Sequence, residues 1–297
     1  MNRTISGICS IALCSFLAVA LCAQKRVSPK ASEWHAMGSS PCAWYRSDSS
    51  IDSTVHELQS SGFKCGVAVI QGANSYEDYQ KLLEATKGTG IEMWAVIIPP
   101  SEGASSLPYR SDYVAWSREL AKLSLKYKNF RGFNIDDLDQ GESPKTFTRD
   151  YVCKIYSAKK SVNPRLLFVP TIYDLDRTTA DRLAGCVDGV WLWWVNLEKA
   201  TGLPSFLENS RYVAAGRFPV YGGVYASLTS WHKEGDPKPA IFQETLEDTC
   251  KYSDGSVIYL LSLKLDDPLL DITKKFLPGG SSTYAGKCGT GAPAQRQ

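Results

Sequence analysis

Residues 131–140 read RGFNIDDLDQ. With Phe130 in front, an apolar run leads straight into three aspartates, Asp136, Asp137 and Asp139. Such a run belongs in a core, where an unpaired carboxylate is costly. The conflict resolves if the run is a strand leaving a buried sheet just where the aspartates begin. Side chains alternate along a strand. Phe133 and Ile135 then share one face, and Asn134 and Asp136 share the other.

The same kind of run recurs along the 297-residue chain. CAWYR (42–46), CGVAVIQGA (65–73), IEMWAVIIPP (91–100) and FRGFNIDD (130–137) are followed by RLLFVPTIYD (165–174), VDGVWLWWVN (187–196), FPVYGGVYAS (218–227) and SVIYLLSLK (256–264). Between them lie stretches of helical periodicity, clearest at 51–62, 75–90, 112–129 and 148–161. Several of these end in Gly or Asn, as helix C-termini do. The later ones, around 178–185 and 204–216, are shorter or less regular; 239–253 and 268–277 close the series. Eight strands, each followed by a helix, predict a single (β/α)8 barrel of the TIM type over residues 41–278. Near-continuous apolar strands fit a parallel sheet covered on both faces. An open doubly wound sheet has a similar rhythm, but no GxGxxG follows the first strand. The Gly/Ser/Thr-rich segment 279–297 reads as a loose tail, tethered at most through Cys288.

In such a barrel function lies at the C-terminal ends of the strands. Asp136 stands at the top of the interior, Asp137 turns over the mouth, and Asp139 lies further into the loop. The other strand ends offer companions: Arg46, Gln71, Tyr173, Asp174, Trp193 and Tyr225, with Asn134 below Asp136 and Trp231 in a polar loop. Carboxylates among aromatic rings, tyrosines and amides describe a carbohydrate site. Sugar C–H faces stack on rings, hydroxyls need polar partners, and glycoside cleavage needs two acid/base groups. Adjacent aspartates repel, so one of them should keep a proton. Asp139, Asp174 and Asp176 read equally well as loop or helix-capping residues.

GFNIDDLD resembles strand-four motifs of (β/α)8 glycoside hydrolases. Against the chitinase pattern DGxDxDxE, the glycine and Asp136 match. Arg131, Asn134 and Leu138 stand in place of the two other aspartates and the glutamate. An adjacent Asp–Asp pair after strand four is also found in substrate-assisted β-N-acetylglucosaminidases. That resemblance implies Asp136 as the group orienting a substrate acetamido nucleophile and Asp137 as the general acid. The competing readings are a carbohydrate-binding barrel without catalysis, and a divalent-metal hydrolase or lyase using the aspartate cluster.

The remaining features bound the setting. Arg3 precedes an apolar run over 5–23 that ends LCA, which reads as a cleaved secretion signal, followed by a linker over 24–40. Six cysteines remain beyond it, and an even count in a secreted chain predicts disulfides. Barrel geometry pairs Cys42 with Cys65 at neighbouring strand starts, Cys153 with Cys186, and Cys250 with Cys288. No cysteine or histidine spacing calls for a metal, and no cofactor motif is present. A net charge of +2 without a basic run speaks against nucleic acid or an anionic membrane as partner. The expected partner is a carbohydrate, bound by a monomer outside the cytoplasm.

Overall fold

The computed structural model describes residues 39–46, 50–72, 75–102, 106–227 and 236–289. The expected signal segment, most of the expected linker and Trp231 lie outside the described residues. The elements alternate as β1 (Cys42–Arg46), α1 (Ile51–Ser60), β2 (Cys65–Ile70), α2 (Ser75–Ala85), β3 (Glu92–Ile97), α3 (Tyr113–Lys126) and β4 (Phe130–Ile135). Then follow α4 (Ser143–Thr146), α5 (Arg149–Lys160), β5 (Leu167–Phe168), β6 (Thr171–Ile172), α6 (Arg177–Leu183) and β7 (Val190–Trp193). The chain closes with α7 (Leu203–Ala214), β8 (Val220–Tyr225), α8 (Pro239–Tyr252), β9 (Ser256–Ser262) and α9 (Pro268–Lys274). Among the described residues no helix is long and apolar enough to cross a membrane.

All strand pairs are parallel, in the order β5-β4-β3-β2-β1-β9-β8-β7-β6. The two ends of that order are consecutive in the chain, so the sheet closes on itself. Residues 167–172 are one stave in two pieces, where the sequence predicts one continuous strand. The break has a cause: Pro170 has no N–H to give to a ladder. The flanking groups still bridge the gap, with Val169 N–H to Phe133 O (3.0 Å) on one side and Trp191 N–H to Pro170 O (2.9 Å) on the other. The result is a (β/α)8 barrel with nine strand segments in eight staves.

Strand alternation sorts the apolar residues into two layers. Ala43, Phe133, Ile135, Leu192, Val224 and Ile258 pack outward against the helices. Trp44, Trp94, Val96, Trp191, Trp193, Tyr221 and Tyr225 fill the interior. Two of the four tryptophans there, Trp94 and Trp193, fit because glycines face them. A Cβ on Gly132 would lie 2.3 Å from Trp94, and one on Gly223 would lie 2.2 Å from Trp193.

At the opposite end from the mouth, buried ion pairs fix strand starts. Lys159 is fully buried and donates to Asp188 Oδ2 and Leu166 O, both at 2.6 Å; the same Asp188 oxygen accepts Phe168 N–H at 2.8 Å. Asp254 likewise takes Arg211 (3.1 Å) and Val220 N–H (2.8 Å). The disulfides are Cys42–Cys65, Cys153–Cys186 and Cys250–Cys288, the expected pairs, spanning 23, 33 and 38 residues. By loop closure each is worth about 3–4 kcal/mol. The segment after Pro278 is less loose than expected. Gly286 N–H bonds to Phe276 O (3.1 Å) and Cys288 N–H to Ser39 O (2.8 Å), so residues up to 289 lie against the barrel.

Gly223→Ala should push Trp193 out of its slot. The expected cost is about 1–3 kcal/mol or more, read as a lower urea midpoint. Gly66→Ala, where the added Cβ meets only the flexible Met93 side chain at 3.1 Å, should cost less and serves as the comparison.

Candidate active site

The ladder runs one residue past β4, since Asp136 N–H donates to Ile97 O at 3.2 Å. This keeps Asp136 on the inward face, 9% exposed. At Asp137 the backbone turns left-handed, with φ 47°. Asp tolerates that region better than most residues. The turn keeps the second carboxyl over the mouth instead of on the outer face. Its Oδ1 accepts the Tyr173 hydroxyl at 2.7 Å. Leu138 is fully buried and its N–H reaches Thr171 O at 3.0 Å, which pins the loop.

Beneath the pair lies a polar knot. Asn134 Nδ2 donates to Val169 O (2.6 Å) and Thr171 Oγ1 (3.1 Å), and Trp193 Nε1 donates to the same Oγ1 (3.1 Å). The Thr171 hydroxyl donates back to Asn134 Oδ1 at 3.3 Å, and its nearness works to hold the Asp136 carboxyl down. Asp137 N–H also reaches Asp136 Oδ1, at 3.2 Å.

The electrostatics follow from this burial. The Asp136 carboxyl is pushed up to about 8, by burial first and then by the charges of Asp137 and Glu102. Asp137 is also raised by burial, against the hydrogen bond from Tyr173. Glu102, in the 3-10 turn Pro100–Glu102 after β3, is raised by burial and by Asp137. Burial holds Tyr173, Tyr225 and Tyr259 well above the usual phenol range, so all three stay neutral. Tyr225 shares a hydrogen bond with Tyr173, and its ring lies 5.4 Å from Trp193 and 5.2 Å from Tyr259. At neutral pH the mouth therefore holds one protonated carboxyl beside others that can ionise, ringed by neutral hydroxyls.

The sequence-predicted residues divide into groups. Asp136, Asp137, Tyr173 and Tyr225 converge. Asn134 and Trp193 are buried beneath them with their polar groups engaged, so they support the site from within. Asp139 is a clamp: its Oδ2 accepts Tyr173 N–H (2.9 Å) and Asp174 N–H (3.1 Å), which holds the end of β6. The Asp174 side chain is exposed, and Asp176 caps α6 by accepting Thr179 N–H at 2.7 Å. Gln71 is exposed at the end of β2, and Arg46 ends β1 opposite Ser262 in register. Among the described residues no three of His, Cys, Asp and Glu are placed to hold a metal ion. Glu102, Thr171 and Tyr259 were not legible as site residues. Glu102 sits in a Pro/Ser/Gly loop, Thr171 is the first residue after Pro170, and Tyr259 lies inside an unbroken apolar strand.

The fold has relatives among solved structures. An endo-1,4-β-mannanase from Eisenia fetida is similar at 9% identity and TM-score 0.52, over 80% of this chain and 90% of that one. A GH99 endo-α-mannosidase from Bacteroides thetaiotaomicron shares 12% identity at TM-score 0.52, over 75% and 81%. A β-galactosidase from Marinomonas ef1 shares 7% identity at TM-score 0.57, over 78% of this chain and 58% of that one. No family model and no curated protein matches the chain. At these identities the likeness is one of fold.

Asp136 has a measurable effect on stability. Between the ordinary carboxyl value of 3.8 and about 8, the folded chain keeps a proton that the unfolded chain has released. Stability contributed by this group is thus greatest at low pH and falls as pH rises, by up to about 1.4 kcal/mol per unit. Asp136→Asn, which keeps an oxygen for Asp137 N–H, should remove that slope and be more stable than wild type at pH 8. Urea unfolding at pH 4.5, 6 and 8 reads this directly; parallel slopes would refute the assignment.

Proposed function

We propose that the protein is a secreted glycoside hydrolase acting on an oligo- or polysaccharide, with Asp136 and Asp137 as the working pair. One observation carries the reading: two adjacent carboxyls at the barrel mouth, the deeper of them, Asp136, pushed up to about 8 by burial. Cleavage of a glycosidic bond needs a donor for the leaving oxygen and a carboxylate for the positive charge that develops on the sugar. The fold neighbours, a mannanase, an endo-α-mannosidase and a β-galactosidase, support the reaction class. Three disulfides support an oxidising compartment.

The proton's location exchanges the roles implied by the motif. Asp136, deeper and higher in pKa, is assigned as the acid that protonates the glycosidic oxygen. Asp137, held by the Tyr173 hydroxyl, is the carboxylate that steadies the anomeric centre or an acetamido group, and Glu102 is a second carboxylate within its field. As the C–O bond breaks, the leaving oxygen takes the Asp136 proton. Water then adds to the sugar carbon and returns a proton to the pair. Tyr225 and Tyr259 supply ring faces and neutral hydroxyls for the sugar.

A panel of aryl glycosides and oligosaccharides, including N-acetylated sugars, tests the reading. Asp136→Ala and Asp137→Asn should each lose about 10²–10⁴-fold in turnover with the fold intact. The wild-type rate should fall as pH rises through about 8, where Asp136 loses its proton. Asp137→Asn removes a like charge, so its residual activity should fall away at lower pH. Binding without turnover in the wild type would instead favour a non-catalytic carbohydrate-binding barrel.

A further inference from the structure

Strand β9 carries one residue more than its neighbour. Cys42, Ala43 and Trp44 pair with Val257, Ile258 and Tyr259, and then Tyr45 pairs with Leu261. Leu260 is opposite nothing, which makes it a one-residue bulge. Its backbone is left-handed, with φ 53°, a conformation that a residue with a Cβ resists. The faces do not change across it: Val257 and Tyr259 face the interior, while Ile258, Leu261 and Leu263 pack under the helices. Nor does close packing explain Leu260, because its side chain lines an open cavity of about 530 Å³ with Ala226, Ser227 and Leu269. What the bulge alters is local twist and bend, the means by which bulges re-aim a side chain.

The residue just before it is Tyr259. Its ring lies 4.7 Å from Trp44 and 5.7 Å from Trp193, and its hydroxyl feels Asp136, Glu102 and Asp137. We propose that Leu260 is a positioning residue, whose left-handed bulge aims Tyr259 across the mouth and closes the wall around Asp136. The proposal rests on Asp136 and Asp137 being the working pair. The other groups acting on Asp136 are Asp137 just after β4, Thr171 at the start of β6, Glu102 from the turn after β3, and Tyr173 and Tyr225 from the ends of β6 and β8. Tyr259 is the contribution of β9.

The test is a pair of substitutions whose order separates backbone from packing. Glycine adopts a positive φ freely, and β-branched valine resists it. Valine, however, keeps more of the apolar volume. Leu260→Gly should therefore stay within about threefold of wild-type kcat, while Leu260→Val loses about tenfold or more with KM little changed. A second readout needs no substrate: the slope of unfolding free energy against pH between 4 and 8. Wild type and Leu260→Gly should share the Asp136 slope. Leu260→Val should flatten it, as should Tyr259→Ala, because water then reaches Asp136. Valine matching wild type in slope, or glycine being the more impaired of the two, would overturn the proposal. So would a wild-type slope no steeper than that of Asp136→Asn, or an unchanged slope in Tyr259→Ala. If the wild type cleaves no glycoside, the hydrolase reading falls while the slopes still decide the bulge.

Discussion

Trp193 lies against Gly223 and gives its indole N–H to Thr171 at 3.1 Å, and much of the molecule follows from that contact. The ring can enter the barrel only because β8 offers no Cβ there. Once inside, it touches Trp44, Trp191, Tyr225 and Tyr259 at centroid distances of 5.4–6.5 Å. Such contacts fill the lumen and exclude water from beneath the mouth. The indole N–H also removes one lone pair of Thr171 from competition. The Thr171 hydroxyl, accepting from Trp193 and Asn134, gives its own proton to Asn134 Oδ1 at 3.3 Å, which ties the ring to the strand that carries Asp136. A packing contact thereby becomes an electrostatic one, since the depth of the tryptophan plug sets how dry Asp136 is.

That dryness is costly to the fold, and the surroundings show how it is sustained. The left-handed turn at Asp137 and the buried carboxyls are local conflicts. They persist because Leu138, Asp139 and Tyr173 over-determine the loop. Asp139 holds two backbone N–H groups of the β6 end, which places the Tyr173 hydroxyl on Asp137. The far end of the barrel carries the compensating order. There Lys159–Asp188 and Arg211–Asp254 tie strand starts to helices, and the Cys42–Cys65 bridge joins β1 to β2. This separation, stability at one end and strain at the other, is the usual division of labour in such barrels.

Much of this was legible in the sequence, for identifiable reasons. Apolar runs at regular spacing predict buried parallel strands, and alternation alone puts Asn134 and Asp136 inside. Knowing that Cys42 and Cys65 open adjacent staves was enough to pair them. What escaped depends on contacts between residues distant in the chain. Nothing near Thr171 announces that it meets Asn134, 37 positions away. Glu102 looks like any loop glutamate until β3 and β4 are neighbours. Asn134 and Trp193 look like ligand-binding residues because periodicity gives the face of a side chain but not its depth. The bulge at Leu260 is invisible because Leu-Leu in a strand carries no turn signal.

The charge of the mouth narrows its chemistry further. The groups that shift Asp136 are two carboxyls, a hydroxyl and a backbone N–H; none is a cation. Arg182 acts on Asp139 and Asp176 instead, and donates to Phe147 O. A lysine or arginine beside the pair would lower both carboxyl pKa values and ionise Asp136 at neutral pH, against the role proposed for it. Tyrosines do the opposite. Buried and neutral, they give hydrogen bonds to the anionic partner without supplying the charge that would draw the proton off the other. A wall of tyrosine around two adjacent aspartates is therefore a physical means of keeping one proton on the pair, as the proposed chemistry requires.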